Sequence, residues 1–453
     1  MRTKDLWRSW TTVALLGILG AAAAHAAPLT ADDAVKVALR KSTQVLDAEA
    51  GIVSARGSVL GSYGSLLPSL SVGVSRNDSR VDKSFGPSFI NGQLVGGGPT
   101  TDSRSNGSAT FISVPSIGIL NLSSWAGLSA ARQGLKASQL QRDATRNDVA
   151  LATRRQFYGV VQAIKLADVA TGALKRARDD ERRVNAMFQV GSVSKSDLLK
   201  ARVATAQSEL DSITARHAIV VNRVALAAQM GIRESELGEV DTLLVANPQT
   251  YDEAALLAEA TKSRPDLIAA LASLKSAKAS HAAARIGRLP YVTAGGSASF
   301  NSRQFTSARV AGSPFINAPA SGNDLRMSGQ VAINWDVFDL AGVDARIAST
   351  HANVIRAQTT YDALQRNLVS EVHEQLLAYY EAVEQQRVAE RGLESAVENL
   401  KLTQEKYNVG SATILELIDA QVQLQTAQSN EVKALAAIRV AEAQINRVRG
   451  HGE

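Results

Sequence analysis

The sequence predicts an internally duplicated, mostly helical fold with four β-strands, each half running helix, strand, loop, strand and long helical hairpin. The first observation behind this is a repeat. Phe188-Gln189-Val190-Gly191-Ser192 returns as Tyr407-Asn408-Val409-Gly410-Ser411, Leu67-Pro68 as Leu289-Pro290, and Lys41-Ser42 as Lys262-Ser263. A period of about 220 residues exceeds the roughly 20–50 residues of solenoid units, so one large unit has been duplicated and fused. The second is where proline stops: none stands between Pro115 and Pro248, and none follows Pro319. Proline in a helix interior costs about 3 kcal/mol, so these two stretches are where long helices can run. The third is a period-two alternation of apolar with small or polar residues just ahead of each stretch.

In order along the chain, residues 1–26 read as a secretory signal peptide. Arg2, Lys4 and Arg8 precede an apolar stretch from Thr11 to Ala24, and Ala24-His25-Ala26 offers a small-residue cleavage site. That stretch is shorter than the roughly 20 residues of a membrane-spanning helix. Repeat 1 occupies 27–230, with strands near 69–76 and 105–115 and a hairpin near 123–230. A linker or equatorial segment, 231–250, separates it from repeat 2 at 251–449, with strands near 290–300 and 325–338 and a hairpin near 342–449. Residues 450–453 form a short C-terminal tail.

The strands rest on alternation. Leu70, Val72 and Val74 alternate with Ser69, Ser71, Gly73 and Ser75, and Val331, Ile333, Trp335 and Val337 mark the last strand. Segments about ten residues long, apolar on one face and polar on the other, suit a membrane β-barrel strand; an ordinary half-buried sheet fits each strand taken alone. Four strands cannot close a barrel, since the smallest membrane barrels have about eight, so a barrel requires several protomers to share one sheet. Residues 77–106 and 301–323, rich in Gly, Ser, Asn and Pro, read as exposed, mobile loops. The hairpins rest on 3-4 spacing: Phe157, Val160, Ile164 and Ala167 in the first, and Val372, Leu376, Tyr379 and Val383 in the second. Ser123 to Met187 alone makes about 95 Å of helix, and helices this long with a narrow, alanine-rich stripe must pack side by side, with other chains.

Composition excludes several functions. There is no cysteine, hence no disulfide, thiolate metal site, thiol catalysis or N-terminal lipidated cysteine. Without residues 1–26 the chain carries 46 basic against 42 acidic residues, a balance that argues against nucleic acid. Ser192-x-x-Lys195 matches a penicillin-binding nucleophile motif only superficially, because no Lys-Thr-Gly accompanies it. His217, His281, His351, His373 and His451 show no ligand spacing, and no phosphate-binding loop is present. Neither a catalytic site nor a cofactor or metal is expected.

Ile119-Leu120-Asn121-Leu122-Ser123-Ser124-Trp125 before the first hairpin, Trp335-Asp336-Val337-Phe338-Asp339 before the second, the two aromatic-x-Val-Gly turns and Ala420-Gln421-Val422 resemble TolC-type outer-membrane efflux proteins. The resemblance covers essentially the whole chain after the signal, in order. It implies a homotrimer in which each protomer lends four strands to a twelve-stranded outer-membrane β-barrel and its helices to a periplasmic α-barrel. It also implies an exit duct for a tripartite efflux pump or type I secretion system. The partners implied are outer-membrane lipid, a periplasmic adaptor and an inner-membrane transporter of RND, ABC or MFS type. A trimeric adhesive coiled coil at the cell surface is the rival reading, but it needs no strand pair before each hairpin.

The same resemblance singles out residues. Acids just past the second turn narrow the periplasmic entrance in the family, and the matching positions are Glu416 and Asp419. Thr413-x-x-Glu416 is equally a capping box, repeated as Ser194-x-x-Asp197, so cap and gate both stand for Glu416. Asp419 is more telling, because Lys200 occupies its place in the first repeat. An inter-hairpin latch maps to Asp197 and Tyr407, with simple packing the alternative for Tyr407; a latch arginine of other members is replaced by Ala412. The turns at Gly191, Ser192, Gly410 and Ser411 expose backbone to an adaptor, or are small only because the turn demands it.

Overall fold

The computed structural model describes residues 28–83, 88–95, 101–245, 247–310, 321–335, 337 and 341–450. The signal-peptide region, the last three tail residues and most of the Asp336–Asp339 motif lie outside the described residues. The elements are α1 (Ala31–Lys41), α2 (Thr43–Gly64), β1 (Ser71–Lys83), β2 (Ser88–Ile90), β3 (Gln93–Val95), β4 (Thr101–Leu120), α3 (Leu122–Gln189) and α4 (Lys195–Met230) in the first half. After a short 3-10 turn at Glu234–Glu236 come α5 (Glu253–Ser263), α6 (Pro265–Ile286), β5 (Tyr291–Val310), β6 (Ser321–Asn334), α7 (Gly342–Asn408) and α8 (Ile414–Val448). No helix among the described residues is long and apolar enough to cross a membrane.

Several features differ from the sequence reading. The last strand, expected near 325–338 with Trp335 and Val337 in it, ends at Asn334. The single helix expected at the head of each repeat is two helices. Ser42 is extended between α1 and α2, and Pro265 opens α6 after an extended Arg264, as the restriction on a pre-proline residue requires. The strands also run well beyond the alternating cores. β1 pairs with β4 from Ser71↔Ser113 to Lys83↔Thr101, and β5 reaches Val310, so much of the two expected loops is strand. A ladder is made of backbone groups, and it continues through Arg-, Asn- and Ser-rich sequence where the side-chain pattern fades. Inside the first loop β2 and β3 form a small hairpin across Asn91-Gly92. Both turn residues have positive φ, the mark of a primed hairpin turn.

Two compact units are present, and each draws on both repeats: 1–46, 145–263 and 369–453 in the first, 47–144 and 264–368 in the second. The second unit holds the four-stranded antiparallel sheet in the order β1-β4-β5-β6. Its central pair, β4 with β5, joins the two repeats. Register places Val72 beside Ile112, Ile112 beside Ala298 and Ala298 beside Met327. This face carries Val72, Val74, Ile112, Leu325, Met327, Val331 and Ile333, all exposed. The opposite face is mostly polar, Phe111 excepted: Ser71 and Ser113 hydroxyls lie 2.6 Å apart, Ser297 and Ser328 2.8 Å apart, and Asn334 donates to Thr293 at 2.9 Å. Gly73 lacks a side chain because the Phe111 ring occupies the space over it. At the strand-to-helix junction Asn121 Oδ1 accepts from the amides of Ser123 (3.1 Å) and Ser124 (3.3 Å) and caps α3.

The first unit is helical. One core packs Ala34, Ala38 and Val45 against Val149, Phe157, Val160, Val161, Leu226, Met230, Leu237 and Val240. The linker is thus partly core, and it is also clipped to α7. Gln249 N donates to the buried Tyr379 hydroxyl at 2.6 Å, and Tyr380 Oη donates to Tyr251 O at 2.9 Å. Gly231 ends α4 with φ +68°, and a Cβ there would lie 2.9 Å from the Lys41 carbonyl carbon and closer still to its oxygen. The left-handed backbone alone costs a side chain about 1–2 kcal/mol. Gly231→Ala is therefore expected to lower the thermal midpoint of the purified protein, and an unchanged midpoint would show that the Lys41 turn yields freely.

Candidate functional site

Both hairpins turn by the same device. In the first, Gly191 (φ +76°) follows α3, Ser192 N donates to Met187 O at 2.8 Å and Gly191 N to Phe188 O at 2.9 Å. In the second, Gly410 (φ +77°) follows α7, Ser411 N donates to Lys406 O at 2.9 Å and Gly410 N to Tyr407 O at 3.1 Å. These are Schellman caps, and the positive φ is what requires glycine at both places. Ser192 and Ser411 are exposed, and Ser411 Oγ also donates to Lys406 O at 3.1 Å.

The caps that restart the helices engage two of the candidate acids. Thr413 N donates to Glu416 Oε2 at 2.7 Å, and Glu416 N to Thr413 Oγ1 at 3.3 Å, a complete capping box. In the first hairpin Asp197 N donates to Ser194 Oγ (3.1 Å), whose hydroxyl donates to Asp197 Oδ2 (2.7 Å), and Lys200 Nζ stands 3.3 Å from Asp197 Oδ1. The Ser194 hydroxyl, aided by Lys200, holds the Asp197 carboxyl below its ordinary range. Asp419 is exposed and serves no cap; it accepts from Gln423 Nε2 at 2.7 Å, one helical turn on. Glu416 and Asp419 stand three apart on α8, yet Glu416 reaches back to the turn while Asp419 points along the helix.

Tyr407 is buried between the hairpins with Val184, Leu198, Ala201, Ile414 and Leu417. Its hydroxyl has no hydrogen-bond partner among the described residues, and burial, then the nearby Asp180 carboxylate, raises its pKa. Within the single chain Tyr407 therefore packs, and Asp197 makes its bonds elsewhere.

Sequence reading did not single out Asp180. It stands on α3 in the 3-4 stripe of Ala173, Ala177 and Val184, and like them it is buried. It accepts from Gln421 Nε2 of α8 and has Arg183 at 3.8 Å. Burial raises its carboxyl above the usual range, and the Gln421 bond opposes the rise. Nearby Arg176 has Nε and one terminal nitrogen buried without partners among the described residues. An acid inside an alanine stripe was the available signal. Ser192 lies in the turn and Lys195 starts α4, so that pair belongs to a helix cap.

The arrangement as a whole, an amphipathic sheet with long helical hairpins turned by paired Gly-Ser caps, has known counterparts. The family model described as outer membrane efflux protein matches residues 34–232 and again 256–451, one match per repeat. The outer membrane protein TolC of Vibrio cholerae is 22% identical over 315 residues, covering 68% of this chain and 69% of that protein. The pyoverdine export outer membrane protein OpmQ of Pseudomonas putida is 23% identical over 419 residues, 89% of this chain and 82% of its own length. Among solved structures, the CmeC outer membrane channel of Campylobacter jejuni superposes with a TM-score of 0.75 at 18% identity, covering 93% of this chain and 86% of that one. VceC of Vibrio cholerae gives 0.72 at 16%, covering 93% and 96%. With both halves matched in order, the chain belongs to the outer membrane efflux protein family.

Proposed function

We propose that this efflux protein works as a homotrimer: a passive exit duct that receives substrates from an inner-membrane transporter through a periplasmic adaptor. The observation that carries the reading is the sheet. Its outer strands, β1 and β6, each pair on one side only among the described residues. Its apolar face is exposed while its other face is lined with serines. An open edge is tolerated in a membrane only when it is closed by another strand. Three copies of four strands give twelve, enough for a barrel whose minimum is about eight. The exposed apolar face then meets lipid, with Trp125 and Trp335, both exposed, as interfacial anchors.

The helices support the same closure. On α4, Leu199, Val203, Leu210, Ile213, Val220 and Val224 are exposed, and with Ala206 and His217 they follow an unbroken 4-3 spacing. That is a coiled-coil seam without a partner among the described residues of its own chain, and a neighbouring copy supplies one. In this reading Glu416 and Asp419 form the periplasmic gate, Asp197 and Tyr407 take part in an inter-hairpin latch, and Gly191, Ser192, Gly410 and Ser411 present the turns to the adaptor. A surface adhesin accounts for the seam but not for the amphipathic sheet. Protein extracted from outer membranes in detergent is expected to migrate as a heat-modifiable trimer and to conduct ions in planar bilayers. A monomer that stays soluble without detergent and leaves bilayers silent would overturn the proposal.

A further inference from the structure

The sequence separates His281 from His351 by 70 positions, and the fold brings them together. His281 stands on α6 and His351 on α7, with ring centres 5.3 Å apart and planes tilted by 46°. His281 Nδ1 lies 3.2 Å from Thr350 Oγ1. That hydroxyl in turn lies 2.9 Å from Arg346 O and 3.0 Å from Ile347 O. A hydroxyl has one proton, and the carbonyls can only accept it. Thr350 therefore donates to the helix backbone and accepts from His281, which puts the imidazole proton on Nδ1 and leaves the Nε2 lone pair bare. A histidine whose second nitrogen is fixed by a hydrogen bond in this way is arranged as metal-binding histidines are.

The spacing of the rings fits the same use. Two imidazoles bound to one ion at about 2.1 Å, at a tetrahedral angle, have ring centres about 5 Å apart. We propose that His281 and His351 form a two-imidazole site for a divalent borderline metal ion of the zinc, nickel or copper class, with Thr350 as positioning residue and solvent completing the coordination. Ligand chemistry sets the class. The cavity beside Thr350 is lined by Ser273, Ser276, Ala277, Ser280 and Asn353 and, from α3, by Gly134, Ala137 and Ser138; Lys278 and Arg285 share α6 with His281 and Arg346 shares α7 with His351. Among the described residues no group of three or more His, Cys, Asp or Glu gathers. Magnesium and calcium demand several carboxylate or carbonyl oxygens, whereas neutral nitrogen ligands suit the later transition metals. Because the chain has no cysteine, no thiolate competes for the ion. The bound ion ties α6 to α7 and supplies three such ties in a trimer.

The test is a calorimetric titration of the full detergent-solubilised protein, purified without a histidine tag, with Ni²⁺, Zn²⁺ and Mg²⁺. One saturable Ni²⁺ or Zn²⁺ per chain is expected, with none for Mg²⁺. His281→Ala and His351→Ala are each expected to weaken binding at least tenfold, and Thr350→Val by about tenfold, with Thr350→Ser restoring it. His217→Ala and His373→Ala serve as controls and leave binding unchanged. Undiminished binding in the His281→Ala/His351→Ala variant, loss in either control, or absence of saturable binding overturns the site. Conductance of the same variants keeps the duct reading separate, since it does not depend on the ion.

Discussion

Replacing Glu416 with Gln and Asp419 with Asn together is expected to abolish most of the cation preference of the channel in planar bilayers. Each chain brings two acids to the start of α8, so a trimer gathers six carboxylates at the mouth proposed above. Rings of like charge select counter-ions. The amide substitutions are chosen for the cap. Glu416 accepts the Thr413 amide at 2.7 Å, and Gln serves the same role in a capping box, whereas Ala removes the acceptor. The two acids are not expected to contribute equally. Glu416 is turned back onto the helix terminus and its charge is partly offset by the helix dipole. Asp419 lies free of the cap, bonded only to Gln423 among the described contacts. Asp419→Asn alone is therefore expected to reduce the preference several-fold, and Glu416→Gln alone distinctly less. Equal effects would show that the cap does not hold Glu416 in the assembled mouth, and an unchanged reversal potential in the double variant would remove the gate altogether.

How far the fold was legible depended on which physical signal each element left. The hairpins were legible because proline exclusion and 3-4 spacing act over some tens of residues, and because a helix-ending glycine is a strict requirement: Gly191 and Gly410 both adopt positive φ. The strands were legible only at their apolar ends, where Val72, Val74, Val331 and Ile333 alternate with small polar residues. Beyond Asn77 and before Asn106 the paired sequence is rich in Ser, Arg and Asp, so period two vanishes although the backbone ladder continues to Lys83↔Thr101. Asn91-Gly92 was a local hairpin signal of the strongest kind, hidden within a glycine-rich stretch. Of the candidate site, the capping roles of Thr413, Glu416, Ser194 and Asp197 were readable because caps are local. The burial of Asp180 against Gln421 and the meeting of His281 with His351 were not, because each joins residues on helices far apart in the chain.

The apolar cluster around Tyr407 leads to an expectation in which two neighbouring substitutions behave in opposite ways. Leu417 is fully buried there, between residues of α3, α4 and α7. Leu417→Ala leaves a cavity and is expected to cost about 2–5 kcal/mol of local stability, read as faster hydrogen exchange at the amides from Val409 to Leu417. Asp180 borders the same cluster, and intuition would assign it a similar cost. Its raised pKa argues otherwise. A carboxyl raised on folding binds protons that the unfolded chain releases, so its favourable contribution is complete below the unfolded value near 3.8 and is lost as pH rises through the folded value. At neutral pH the charge opposes the packing around it. Asp180→Asn keeps an acceptor for Gln421 with no charge to desolvate, and is expected to slow exchange near the turn at pH 7 while matching the parent protein in acid. Arg183, already half in solvent and 3.8 Å away, can hydrate when its partner becomes neutral. Asp180→Ala, which strands the Gln421 amide, is expected to loosen the tip at every pH. If Asn loosened it as Ala does, the carboxylate would have to be held by its arginines rather than tolerated despite its burial, and the tip would be fastened by charge.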